Sequence, residues 1–419
     1  MFKLLNLLKQ KSREKNVHQT ALLLASTILG LLFGFTTNSL LTRILGKVEY
    51  GNFAFLFNIF TFCQVIFNFG IFFAIARLVA ISNDEKKTRG YYAVALCLIF
   101  ALYIMMSISL IIFSNVSTAI EKNDLFQILM ISIPLGWIYI VINFNESFLQ
   151  GVSKIKLLSL TRWLPKFIFT LILVVIFFLF KNNTSITTVI FLNYFTLLIS
   201  CVLVYYNVKP TLANFRKRLY EIFIAVKQFG FDIYLGSLVA TGSGSLSGIL
   251  ISYFSINNVD VGYFTLATLL SSPLALIPNI IATVQFKKFA NSNKIQTSLT
   301  LATLALSFGL LILTMILARF VITAFFGDEY VDAVILLRVL SFGYILYGFG
   351  DFFNRFLLAK GKGKELRNAS IYIGITLLVA NFIMISLYGA MGAAIARIIS
   401  GLVYVLVILY YYRKEVKRC

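Results

Sequence analysis

The sequence predicts an all-α integral membrane protein, with twelve transmembrane helices in two pseudo-symmetric six-helix bundles around a central cavity. Three observations predict it. The composition is 59% hydrophobic and 13% charged, with a mean hydropathy of +0.89, which is too apolar for a water-exposed chain of 419 residues. The chain offers twelve stretches of about 20 mainly apolar residues, the length a helix needs to cross ~30 Å of hydrocarbon. Finally, VEYGNF at 48–53 returns as VDVGYF at 259–264, with an acid, a glycine and a phenylalanine at matching places.

The elements follow in order. A polar lead, MFKLLNLLKQKSREKNVHQT, precedes a first span of about 25 residues with no A-x-A-type cleavage site, so it reads as a retained segment and not a signal peptide. The spans lie near 20–45, 52–77, 91–113, 125–149, 164–180, 187–206, 229–254, 261–285, 297–320, 333–359, 368–387 and 391–412. This gives a cytoplasmic N-terminal segment at 1–17, an N-terminal lobe at 18–208, a cytoplasmic linker at 209–228, a C-terminal lobe at 229–412 and a tail at 413–419. Charge sets the orientation: 27 of the 37 Lys and Arg fall in alternate connections, while the other side carries only Arg43, Lys47, Lys122 and Lys181. Both termini are therefore expected in the cytoplasm, and the net charge of +21 is topological, with no nucleic-acid partner.

No connection exceeds about 22 residues, which leaves no room for a soluble catalytic domain, nor for the large outer loop of a polysaccharide polymerase or ligase. The chain has no H-E-x-x-H, C-x-x-C, P-loop or G-x-S-x-G pattern, so no enzyme, metal or cofactor is expected. Cys63, Cys97 and Cys201 lie in spans and Cys419 at the terminus, which is no disulfide framework. The single histidine, His18, carries no site role.

A second echo supports the duplication. FLQGVSKIK at 148–156 and FLLAKGKGK at 356–364 stand 208 positions apart, just after spans 4 and 10. Small or polar residues recur every fourth position in span 1 (Ser26, Gly30, Gly34, Asn38) and in span 7 (Gly236, Ala240, Gly244, Gly248, Ser252), each set on one helix face. An even number of spans per half keeps both halves in one orientation, related by an axis along the membrane normal, and rocking of one against the other would give alternating access. Pro134, Pro273 and Pro278 can kink their helices.

LTRILGKVEYGNFAF, FLLAKGKGKELRNAS and YGAMGAAIARIISG resemble the polysaccharide flippases of the O-antigen type (Wzx), in the MATE-like multidrug/oligosaccharidyl-lipid/polysaccharide superfamily. The resemblance covers essentially the whole chain. It implies a MATE-like fold in the bacterial inner membrane and a flippase that moves an undecaprenyl-pyrophosphate-linked oligosaccharide to the periplasmic leaflet. The implied partners are that substrate and membrane lipids, with a polysaccharide polymerase and a chain-length regulator as further candidates; the implied energy source is an H+ or Na+ gradient.

Such a substrate needs a polar, cationic path, and charges inside spans are costly unless they face a cavity or a partner. Span 10 is the richest, with Arg338, Tyr344, Tyr347, Asp351, Asn354 and Arg355; Tyr347, Asp351 and Arg355 share a face. At the repeat offset, Asp351 and Asn354 match Asn143 and Glu146 of span 4. The substrate-binding candidates are Arg338, Arg397, Arg355, Arg77, Tyr344, Tyr347 and Asn143; the ion-coupling candidates are Asp351, Glu146 and Asp232. Each has a plainer reading: an i,i+4 salt bridge for Asp351 and Arg355, snorkelling for Arg338 and Arg397, an interfacial anchor for Arg77 and a dipole-favoured helix start for Asp232. Lys166 reads as cytoplasmic interface. Span 1 holds no acid before Glu49, which departs from the ion-coupled drug exporters and disfavours the alternative function, a cation-coupled small-molecule exporter.

Overall fold

The computed structural model describes residues 2–82, 84–180, 184–238 and 242–417, with side chains from residue 21 onward except Lys287. The His18 side chain, Lys181, Ala240 and Cys419 lie outside the described residues. Among those residues all regular structure is helical. Eight helices are long and apolar enough to cross a membrane, or nine if one bent pair counts as a span. Large apolar side chains such as Phe178, Ile316, Phe320 and Leu406 stand exposed along them, as hydrocarbon demands and water does not. This is a multi-pass membrane protein.

Two of these helices are double. α1 (Phe2–Ile66) breaks at Gly46, with φ 71 and ψ 175, a conformation nearly closed to residues with a Cβ. The last helix, Gly363–Val416, breaks in the same way at Gly389, with φ 56 and ψ −135. Elsewhere the expected spans are interrupted. Between α1 and α2 (Ile71–Ile81), Phe69 and Gly70 both take positive φ. After α3 (Glu85–Val116) and the short α4 (Thr118–Glu121), Pro134 marks a 44° bend between α5 (Phe126–Ser132) and α6 (Trp137–Gly151). α7 (Ile155–Leu179) and α8 (Ile186–Val208) are continuous. The expected linker is not loop throughout: it holds α9 (Phe215–Ala225), followed by a π turn at Val226–Gly230 and α10 (Phe231–Ser237). Then come α11 (Ser243–Phe254), α12 (Val259–Ser271), α13 (Pro273–Val284, opened by Pro273 with Pro278 inside), α14 (Phe286–Asn291), α15 (Thr297–Phe326), α16 (Ala333–Ala359) and α17 (Gly363–Val416).

The chain divides into two compact units. The first comprises Met1–Ile44, Ile66–Val116 and Phe126–Tyr234; the second comprises Leu45–Val65, Ser117–Leu125 and Leu235–Cys419. In the first, Phe72, Tyr92, Phe144 and Phe148 form a buried aromatic cluster with ring centroids 4.9–5.7 Å apart.

In the second unit the repeated phrase acquires a reason. VEYGNF and VDVGYF lie against each other: a Cβ on Gly51 would stand 2.1 Å from the Asn258 carbonyl oxygen, and one on Gly262 would stand 3.3 Å from the Gly51 Cα. Asn258 Nδ2 donates to Asn52 Oδ1 at 2.9 Å. The Ser117–Leu125 segment joins them, since Lys122 Nζ donates to the Tyr253 carbonyl (3.2 Å) and to the Ser255 carbonyl at the end of α11, while Asn258 N donates to Asn123 Oδ1 at 3.2 Å.

The internal repeat also reappears as paired contacts. In the first unit the Thr37 and Thr170 hydroxyls are 2.8 Å apart, tying α1 to α7; in the second, Asn381 Nδ2 donates to Ser247 Oγ at 2.9 Å, tying α17 to α11. Ser247 and Asn381 lie 210 and 211 positions after Thr37 and Thr170.

Candidate transport site

The second unit gathers most of the expected site residues on α13, α16 and the latter part of α17. Asp351 Oδ1 accepts a hydrogen bond from the Tyr404 hydroxyl (2.8 Å), and its Oδ2 accepts one from Asn279 Nδ2 (3.1 Å). Arg355 Nε donates to Asn279 Oδ1 at 3.2 Å, and Asn354 Nδ2 donates to the Tyr404 hydroxyl at 3.0 Å. Among the described residues Asp351 and Arg355 therefore form no direct ion pair, because Asn279 stands between them. The spacing on α16 suggested a pair; the amide of α13 replaces it.

Arg397 lies one ring further along. Its guanidinium sits 5.3 Å from the ring centroids of both Tyr344 and Tyr347, a double cation–π contact. Gly343 leaves the room, since a Cβ there would stand 2.7 Å from Arg397 Cγ. The Tyr347 hydroxyl donates to Ser400 Oγ (2.9 Å), and its ring lies 5.6 Å from that of Tyr404. The result is one polar strip running Arg397, Tyr347, Tyr404, Asp351, Asn279, Arg355, with a cation at each end. Arg338 is exposed on α16 and no hydrogen bond or ion pair among the described residues joins it to this strip.

The first unit has a second polar focus. Glu146, expected as a coupling acid, is ion-paired with Arg162, whose Nε donates to its Oε1 at 3.0 Å. One turn on, Lys166 Nζ reaches the Gly30 carbonyl at 3.4 Å. These groups, with Ser26, Asn145 and Ser200, line a cavity of about 390 Å³ carrying one more cation than anion. Ser26 and Gly30, the first two members of the small-residue ladder of span 1, thus line a cavity, and Lys166, read as interface, lines its wall. The expected boundary at 164 had put Arg162 in a connection; its i,i+4 spacing from Lys166 was the missed signal. Asn143 is half-buried on α6, one turn from Glu146. Arg77 is exposed and stacks 4.2 Å from the Phe229 ring centroid, and Asp232 is exposed at the start of α10. Neither touches the cavity lining.

Known proteins share this architecture. The solved structures it resembles include the lipid II flippase MurJ in an inward closed conformation (TM-score 0.71, 18% identity, 95% of this chain and 89% of that chain) and an inward-facing multidrug resistance MATE family transporter (TM-score 0.67, 14% identity, 93% and 95%). At these identities the likeness concerns the fold, which is MATE-like, as the sequence resemblance implied. The capsular polysaccharide biosynthesis protein CapF of Staphylococcus aureus is 24% identical over 360 residues, 81% of this chain and 85% of that protein. Residues 17–286 match the polysaccharide biosynthesis protein family, and with most of its length inside that match the chain belongs to that family.

Proposed function

We propose that the protein is a flippase that carries an undecaprenyl-pyrophosphate-linked oligosaccharide, an O-antigen or capsule repeat unit, across the bacterial inner membrane by alternating access. The observation that carries this reading is Arg397 held between Tyr344 and Tyr347. A guanidinium inside an apolar bundle needs an anion or water, its planar fork suits a pyrophosphate, and tyrosine rings suit sugars. The family, the named activity of the MurJ relative and the net positive cavity of the first unit support it.

The test is surface polysaccharide in a strain lacking the native gene, at matched membrane abundance. Arg397→Lys keeps the charge without the fork and retains part of the export; Arg397→Ala loses it by about tenfold or more. Unchanged export with Arg397→Ala would sink the proposed role.

A second reading, a cation-coupled small-molecule exporter, draws on Asp351, whose carboxylate is held by neutral donors and not by an ion pair, as a group that exchanges H+ or Na+ would be. Purified protein in vesicles distinguishes the two: movement of drug cations against an ion gradient favours the exporter, and movement of a lipid-linked glycan favours the flippase.

A further inference from the structure

α9 presents two unlike faces. On the inner one Arg218, Ile222 and Ala225 are buried. Arg218 Nη1 donates to Glu221 Oε2 at 3.0 Å, its guanidinium lies 5.2 Å from the Tyr91 ring centroid, and the Tyr91 hydroxyl donates to the same Oε2 at 2.6 Å. The helix's only acid is thereby turned inward and bonded to two donors. Across the helix and into the π turn that continues it, Arg216, Tyr220, Phe223, Ile224 and Lys227 repeat at intervals of three or four, with Lys217 at the stripe's edge. All six are exposed, Tyr220 by 68% and Phe223 by 54%. This face carries three cations, three large apolar groups and no acid.

Its position restricts what can cover it. α8, long and apolar enough to cross a membrane, ends at Val208, and α9 starts at Phe215 and runs through the π turn into α10 at Phe231, so this eleven-residue helix of about 16 Å is held close to the end of a membrane span. Interleaved aromatic and basic side chains suit the headgroup layer, where rings sit at the boundary and Lys and Arg reach phosphate.

We infer that α9 is an anionic-lipid contact, with Arg216, Lys217 and Lys227 engaging the phosphates of acidic phospholipids and Tyr220, Phe223 and Ile224 seated in the acyl boundary. The inference stands independently of what the protein transports. Full-length Phe223→Trp protein is placed in vesicles of phosphatidylcholine alone or mixed with phosphatidylglycerol, with the parent protein and its Trp137 and Trp163 as background. Quenching of the added fluorescence by brominated phosphatidylglycerol exceeds that by brominated phosphatidylcholine severalfold. Replacing Arg216, Lys217 and Lys227 by alanine together removes the preference while the melting temperature holds, since all three are exposed; each cation is worth about fivefold. Equal quenching by both lipids overturns the anionic preference. Quenching by aqueous iodide and by neither lipid overturns the membrane contact itself and leaves the face open to a protein partner.

Discussion

Asn279 is an amide with two ends, and both are used: Nδ2 serves Asp351 and Oδ1 serves Arg355. Asn279→Leu leaves a half-buried carboxylate and a guanidinium one partner short each, which costs about 1–3 kcal/mol apiece, and export falls with it. The informative variant exchanges amide and acid. In Asn279→Asp with Asp351→Asn the carboxylate sits beside Arg355 and the new amide can donate to it, so the melting temperature returns close to the parent's while export does not. If export recovered along with stability, the carboxylate's position would be immaterial and Asp351 would lose its proposed coupling role. Tyr347, Asp351 and Arg355 were legible in the sequence because i, i+4, i+8 is a property of one helix. Asn279 and Tyr404 were not, because they lie on α13 and α17, and no period along α16 states which neighbour meets its polar face. Arg162 was lost for a smaller reason, a span boundary nine residues late, since boundaries are the least determined part of a hydropathy reading.

At the scale of elements, the close approach of VEYGNF and VDVGYF is set by backbone and not by flexible side chains. Gly51→Ala forces a methyl group into the Asn258 carbonyl, and melting of the purified protein should show a loss of about 1–3 kcal/mol. Gly236, helical in α10 with nothing within 4 Å of a built Cβ, makes the control: Gly236→Ala should be neutral or gain about 0.5–1 kcal/mol. Equal losses at both positions would remove the contact as the cause. The docking of α9 is pH-dependent in a direction that can be worked out. Burial alone raises the Glu221 carboxyl, but hydrogen bonds from Tyr91 and Arg218 and the charges of Arg218 and Lys217 outweigh it and hold it below the ordinary glutamate value. A carboxyl depressed in the folded state stabilises above its unfolded pKa and loses that contribution as pH falls through its folded one. Hydrogen exchange over 215–225 should therefore rise, relative to Glu221→Gln at the same pH, as pH drops below about 4; parallel behaviour of the two proteins would exclude the effect. The echoes were visible in the sequence as repeats, yet that one repeat lies on the other became visible only in three dimensions.

For the whole molecule, orientation is the property on which the expected cytoplasmic placement of α9 depends. With the four native cysteines replaced by serine, Asp328→Cys should react with an impermeant thiol reagent in intact cells, and Gly363→Cys should react only after lysis. Labelling of Gly363→Cys from outside would invert the topology. The interleaved units carry a consequence for how the protein is made. Asn52 and its partner Asn258 are separated by 206 residues, so at a synthesis rate of about 5–20 residues per second the earlier phrase waits roughly 10–40 seconds before its counterpart leaves the ribosome. Through that interval Leu45–Val65 waits with Asn258 and VDVGYF unmade. The second unit can close only after most of the protein has been translated, and a nascent chain stalled before residue 258 should hold this segment in an unpaired, protease-sensitive state.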